Sequence, residues 1–179
     1  MDESLFFPLL IIGIGCLIFL NTSQNVTGAL NLSSLSAQGV SQADINILQS
    51  LYQSLLNNNL STQQCLFMLS QALFETGLLT SVANMNLINN NNNFAGLTDG
   101  QGNYNSYPSI DAFVSDWIGF LSKGASPITA TSLTDYNNRL VSNHYYTDSP
   151  AVYLAGLTKW YNLLSSTLSN NSTQSVSNG

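Results

Sequence analysis

A mainly α-helical fold is predicted for this chain: a small helical domain with one reduced β excursion, preceded by a single N-terminal transmembrane helix. Three observations carry the prediction. Between residues 41 and 164 apolar side chains recur at helical spacing in successive segments, several of them opened by a capping Ser. Hairpin-type turn chemistry is confined to residues 94–107, with Asp99-Gly100 and Gly102-Asn103. From Leu5 to Leu20 the chain is apolar and carries no charge, close to the roughly 17–25 residues that cross a bilayer.

Taken in order, the apolar run follows Asp2 and Glu3 rather than basic residues, and no small-residue cleavage site closes it. It is therefore read as an uncleaved anchor, residues 1–20, rather than a removed signal peptide. A lipid membrane, met through Leu5 to Leu20, is an expected partner. Residues 21–40 are rich in Asn, Ser, Thr and Gly, with Leu30, Leu32 and Leu35 scattered through them, a composition that suits a flexible linker. Ser41 opens a helix over 41–57 that aligns Ile45, Leu48, Leu51, Tyr52 and Leu55 on one stripe. Ser61 with Gln64 three residues on makes a capping box for a second helix, which runs to Glu75 and breaks at Thr76-Gly77. A short helical piece is expected over 81–87. The Asn run 89–93 reads as loop, because Asn side chains compete for their own backbone. Ser109 caps a helix to Ser122 with Phe113, Trp117 and Phe120 inward, a further helix spans 135–142, and the last runs from Pro150 to about Leu164. Residues 41–166 thus form the domain, and 167–179, small and polar, a disordered tail.

Composition narrows the partners. The chain has 179 residues, 44% of them hydrophobic, which is enough for one core, and a formal net charge of −6. Lys123, Arg139 and Lys159 are too few and too scattered to line a phosphate backbone, so no nucleic acid is expected. Cys16 in the apolar run and Cys65 in a core helix belong to different environments and are not expected to pair. His144 is the only histidine, with no Cys or acid cluster beside it, so neither a metal nor another cofactor is expected.

Glu75 is the residue that carries chemistry. Only 7% of the chain is charged, yet a single carboxylate closes the apolar helix Cys65-Leu66-Phe67-Met68-Leu69-Ser70-Gln71-Ala72-Leu73-Phe74-Glu75. Desolvation, and the negative end of the helix dipole, both disfavour the anion there and keep a carboxyl protonated toward neutrality, which is what a general acid requires.

Four ordered blocks extend this reading. Ala72, Glu75, Thr76 and Gly77 fit an A-x-x-E-[ST]-G helix end; Asn92, Asn93, Phe94, Gly96 and Leu97 fit N-N-x-F-G-[IL], with Ala95 transposed against the aromatic; Tyr107, Ser109 and Asp116 fit a Y-x-S block leading into a helix. Tyr145, Thr147, Asp148 and Tyr153 fit the closing G-Y-x-T-D-P-x-Y, with Pro150 displaced. In this order, over residues 61–164, the chain resembles glycoside hydrolase family 73, the β-N-acetylglucosaminidases that cut peptidoglycan. The resemblance implies an α+β lysozyme-like fold, peptidoglycan glycan strands as partner, and Glu75 as proton donor to the glycosidic oxygen. It implies that Tyr145 stands near the acid, and that Asn93, Phe94, Tyr107 and Tyr146 shape the saccharide groove. Glycosidases usually add a second carboxylate. Asp99 is the only acid in the shortened β excursion and is the candidate, although an Asp-Gly turn explains it equally; a tyrosine or the substrate's own acetamido group is the alternative. The implied protein is a membrane-tethered peptidoglycan hydrolase with its domain outside the cytoplasm, or one carried in the virion membrane of a phage. Two alternatives stay open: a catalytically silent glycan-binding or structural virion protein of the same fold, and a small membrane protein whose helices mediate assembly.

Overall fold

The computed structural model describes residues 30–37, 39–77 and 91–169. After a single helical turn at Ser33–Ser36 come α1 (Gln42–Asn57), α2 (Thr62–Thr76), α3 (Ile110–Leu121), a 3₁₀ turn at Pro127–Thr129, α4 (Leu133–Ser142) and α5 (Pro150–Ser169). No strand occurs among the described residues, and the β excursion reduces to one antiparallel bridge between Thr98 and Tyr104. The chain is mainly helical, as its periodicity predicts.

α2 is the axle of the fold. Every side chain from Cys65 to Leu73 is buried, and a helix buried on all sides needs neighbours all round. α5 packs along one side of it and α1 along another, α3 lies on α1, and α4 bridges α5 to the 3₁₀ turn. The α2–α5 crossing is close because Gly156 has no side chain: a Cβ there would stand 2.2 Å from the Phe74 ring. The α2 start is fixed by the capping box. The Ser61 N–H donates to Gln64 Oε1 at 2.8 Å, and the Gln64 N–H donates to Ser61 Oγ at 3.3 Å. At the other end Gly77 takes the left-handed conformation and closes the helix one turn past Leu73. Ser41, Ser109 and Ser132 cap α1, α3 and α4 more simply, each side-chain oxygen accepting the N–H three residues on.

Two boundaries move from their expected places. The described part of the 21–40 stretch is no free linker: Leu30, Leu32, Leu35 and Val40 are all buried in the core. The scattered leucines are spaced to fold the strand of chain back on α1, and burying them outweighs a composition that otherwise favours disorder. At the other end α5 continues to Ser169 rather than stopping near Leu164. Leu168 extends the inward stripe of Leu157, Trp160 and Leu164, while the Thr167 hydroxyl donates to the Leu164 carbonyl at 2.7 Å. The anchor at 1–20, the helical piece at 81–87 and most of the tail lie outside the described residues. Among the described residues no helix is long and apolar enough to cross a membrane.

Candidate active site

Glu75 occupies the last turn of α2, where the helix leaves the core. Its side chain is half-buried, and burial pushes its carboxyl above the usual carboxylate range. A hydrogen bond donated by the Tyr153 phenol to Oε1 pulls the other way, and the negative charge of Asp148 adds to the rise. The site is thus tuned mainly by desolvation, with one donor holding the carboxyl in place.

Tyrosines surround it. Tyr153 sits in the first turn of α5, its ring edge-on to Phe74 with centroids 4.9 Å apart and stacked on Tyr146 at 3.7 Å and 5°. Tyr146 in turn donates to Asn137 Oδ1 at 2.8 Å. Tyr136, fully buried in α4, donates to Oε1 of Gln71, one helical turn before Glu75. The Tyr145 phenol donates to the Ala95 carbonyl at 2.5 Å, and its ring meets the edge of Phe120. Burial first, and the nearby Glu75 carboxylate second, push the phenols of Tyr136, Tyr145 and Tyr153 upward. All three are therefore neutral hydrogen-bond donors across the physiological range.

Beside this cluster opens a cleft of roughly 790 Å³, lined by Glu75, Tyr145, Tyr146, Asp148 and Tyr153 on the α2–α5 side and by Asn93, Ala95, Gly96, Thr98, Tyr104 and Asn105 on the other. Cleft size and a mixed aromatic-polar lining suit a ligand of several rings. The second wall is held by Asn93. Its Nδ2 donates to the carbonyls of Leu97 (2.7 Å) and Asn105 (3.0 Å), and its Oδ1 accepts the Leu97 N–H at 2.9 Å. With its amide fully engaged and its side chain buried, Asn93 shapes the groove from behind.

The structure brings Glu75, Tyr145, Tyr146 and Asn93 to the cleft and leaves three expected residues away from it. Phe94 is buried in the core, edge-on to Phe113, because its position turns inward where the loop crosses α3. Tyr107 also packs on Phe113 and donates to Asp116 Oδ2 at 2.7 Å, outside the cleft lining; burial and that hydrogen bond push its phenol up to about 12. Asp99 is fully exposed at the tip of the turn. Its Oδ1 accepts the N–H groups of Gln101 (2.8 Å) and Asn103 (2.9 Å), its Oδ2 accepts from the Asn103 side chain at 3.0 Å, and these donors hold it below its usual range. A carboxylate so held caps a turn and does not line the cleft.

Tyr153 and Asp148 are the residues that residue-by-residue reading gave no role. Their signal was the closing T-D-S-P-A-V-Y segment: Pro150 starts α5, so a tyrosine three residues later falls in its first turn, facing the end of the helix it packs on. Compared with known proteins, the chain matches no protein-family model, no curated protein and no solved structure.

Proposed function

We propose that this cleft is the active site of a glycoside hydrolase that cuts β-1,4 bonds in the glycan strands of peptidoglycan, with Glu75 as general acid. The observation that carries the reading is the half-buried Glu75 carboxyl, raised by desolvation at the wall of an open cleft and ringed by neutral phenols. A protonated Glu75 donates to the glycosidic oxygen as the bond to the leaving sugar lengthens. Positive character then develops on the sugar carbon, beside a lining that includes Tyr145 and Tyr153. For the second group, Asp148 and Asp116 share the cleft with Glu75 and Asp99 does not; Asp116 is engaged by Tyr107, so Asp148, the substrate's acetamido group or a tyrosine-held water is the candidate in place of Asp99. The family 73 resemblance and a lysozyme-like fold belong to the same proposal, as does the anchor of residues 5–20, which would hold the domain against a membrane outside the cytoplasm or in a virion.

A glycan-binding protein without turnover is the second reading, favoured by Tyr153 already occupying one Glu75 oxygen and by Tyr107 occupying Asp116, another acid of the cleft. Digestion of purified peptidoglycan with the full chain, followed by mass spectrometry of the soluble products, separates the two. New reducing N-acetylglucosamine or N-acetylmuramic ends, or anhydro ends, are expected; binding with no new ends would replace the hydrolase with the binding protein. Flotation with lipid vesicles tests the anchor, and recovery of native protein starting beyond Leu20 would overturn it.

A further inference from the structure

With three Lys and Arg residues and one His against nine acids in the whole sequence, where these basic side chains stand is informative. Arg139 is structural: its Nε pairs with Asp135 Oδ1 at 2.9 Å, and one terminal nitrogen donates to the carbonyls of Ala125 (3.0 Å) and Ser126 (3.2 Å). Lys159 lies over the Trp160 ring, 4.9 Å from its centre. The other two, Lys123 and His144, are exposed and both line the cleft. Lys123 forms no ion pair with any described residue.

Their presentation is built into the backbone. Lys123 lies in the loop after α3, and His144 in the turn after α4. Asn143 ties the two segments together, accepting the Ala125 N–H at 2.8 Å and donating to the Lys123 carbonyl at 3.0 Å. Gly124 makes room for that clamp, since a Cβ there would stand 2.3 Å from Asn143 Oδ1. His144 ends α4 in a Schellman turn: its N–H donates to the Val141 carbonyl at 2.9 Å and the Tyr145 N–H to the Leu140 carbonyl at 3.0 Å. The residue at that position is left-handed, with φ +52°. Gly or Asn takes this conformation at lower cost than other residues. The same turn swings His144 to the cleft rim and Tyr145 toward Glu75. Three acids share the cleft: Glu75 is held by Tyr153, Asp116 accepts from Tyr107, and Asp148 lies in the segment leading to α5.

We propose that Lys123 and His144 form an anion-reading edge of the cleft, which selects saccharide units bearing a carboxylate over neutral amino-sugar polymers. The proposal rests on the glycan-strand reading of the cleft. In a chain with a formal net charge of −6, an anionic polymer is repelled at long range and is admitted where an ammonium and an imidazole N–H donor face it. On a peptidoglycan strand the carboxylate has two sources, the lactyl group of a muramic sugar that carries no stem peptide or the stem peptide itself, and the same ammonium and imidazole donors suit both.

The test is binding rather than turnover, with full-length Glu75→Gln protein. Its retention is measured on amidase-stripped glycan strands, on the same strands with carboxylates converted to neutral methylamides, on intact peptidoglycan, and on chitin oligomers. Stripped strands are expected to bind roughly tenfold tighter than their neutralised form, the scale of one or two charge-assisted contacts in a wet cleft, with the ratio falling as salt rises. Lys123→Gln and His144→Asn should each bring that ratio toward one. His144→Asn is the control for folding, because Asn suits the left-handed turn and the melting temperature should hold or rise. Preference for intact peptidoglycan alone, lost in the same two variants, assigns the carboxylate to the stem peptide. Equal binding of native and neutralised strands with no preference for intact peptidoglycan overturns the anion edge while leaving the glycan reading intact; binding to no glycan overturns both.

Discussion

The two walls of the cleft are built by opposite means. The α2–α5 wall is made by packing: Phe74 meets Tyr153 edge-on over the gap left by Gly156, Tyr153 stacks on Tyr146, and Glu75 is drawn partly out of water as a result. The facing wall, residues 93–105, is made by hydrogen bonds, with Asn93 stapling Leu97 to Asn105 and Asp99 closing the turn. Only the packed wall can desolvate an acid and hold it protonated. The stapled wall offers shape and backbone polarity. Proton transfer is therefore expected to fail when the first wall is altered, and substrate fit when the second is.

The largest effect should come from Glu75→Gln, which keeps the shape and removes the proton. Release of reducing ends is expected to fall by about two to four orders of magnitude with unchanged circular dichroism. The same variant should be more stable than the parent at neutral pH. Because the folded Glu75 holds its proton to a higher pH than an exposed carboxyl, the unfolded chain ionises first as pH rises. Stability then declines from the ordinary carboxylate range up to the raised value and stays lowered above it. Melting curves of parent and variant should converge below that window, and a constant gap at every pH would remove Glu75 from the account.

Next come the two acids. Asp148→Asn is expected to lower turnover, by about tenfold or more if it is the second catalytic group, whereas Asp99→Asn should leave turnover within about twofold of the parent, as an exposed turn residue does. Assaying both on one peptidoglycan preparation decides the matter; the reverse ranking would return the second carboxylate to the β excursion. Smaller still, and on stability alone, Gly156→Ala should cost about 1–3 kcal/mol by forcing Phe74 aside. Asn93→Ala should cost about 1–3 kcal/mol by leaving the buried Leu97 N–H without a partner. Chemical denaturation gives both values. Gly156→Ala should also disturb Glu75, and Asn93→Ala should raise KM more than it lowers kcat.

What was legible in the sequence follows the same division. Features set by neighbours along the chain could be read: the Ser61–Gln64 box, the Ser109 cap, the largely apolar α2 and its closing acid. The Asp-Gly turn that explains Asp99 was legible too. Features set by long-range packing were not. The direction in which Phe94 and Tyr107 face depends on where Phe113 lies, 6 or more residues away in chain and on another element, so two aromatics expected in the groove belong to the core. The bond from Tyr153 to Glu75 joins residues 78 apart, and no local pattern pairs them. Leu30, Leu32 and Leu35 read as a linker because their composition is polar on average, although the leucines alone decide the burial.

The pH dependence of kcat/KM on peptidoglycan glycan strands, measured for the parent and for Tyr153→Phe, tests the central claim most directly. If Glu75 acts as a general acid held protonated by burial, activity should fall with rising pH along a limb that lies above the ordinary carboxylate range. Removing the Tyr153 donor, which opposes that rise, should move the limb to higher pH still. A limb at ordinary carboxylate pH, or one that stays in place when the phenol is removed, would contradict the account.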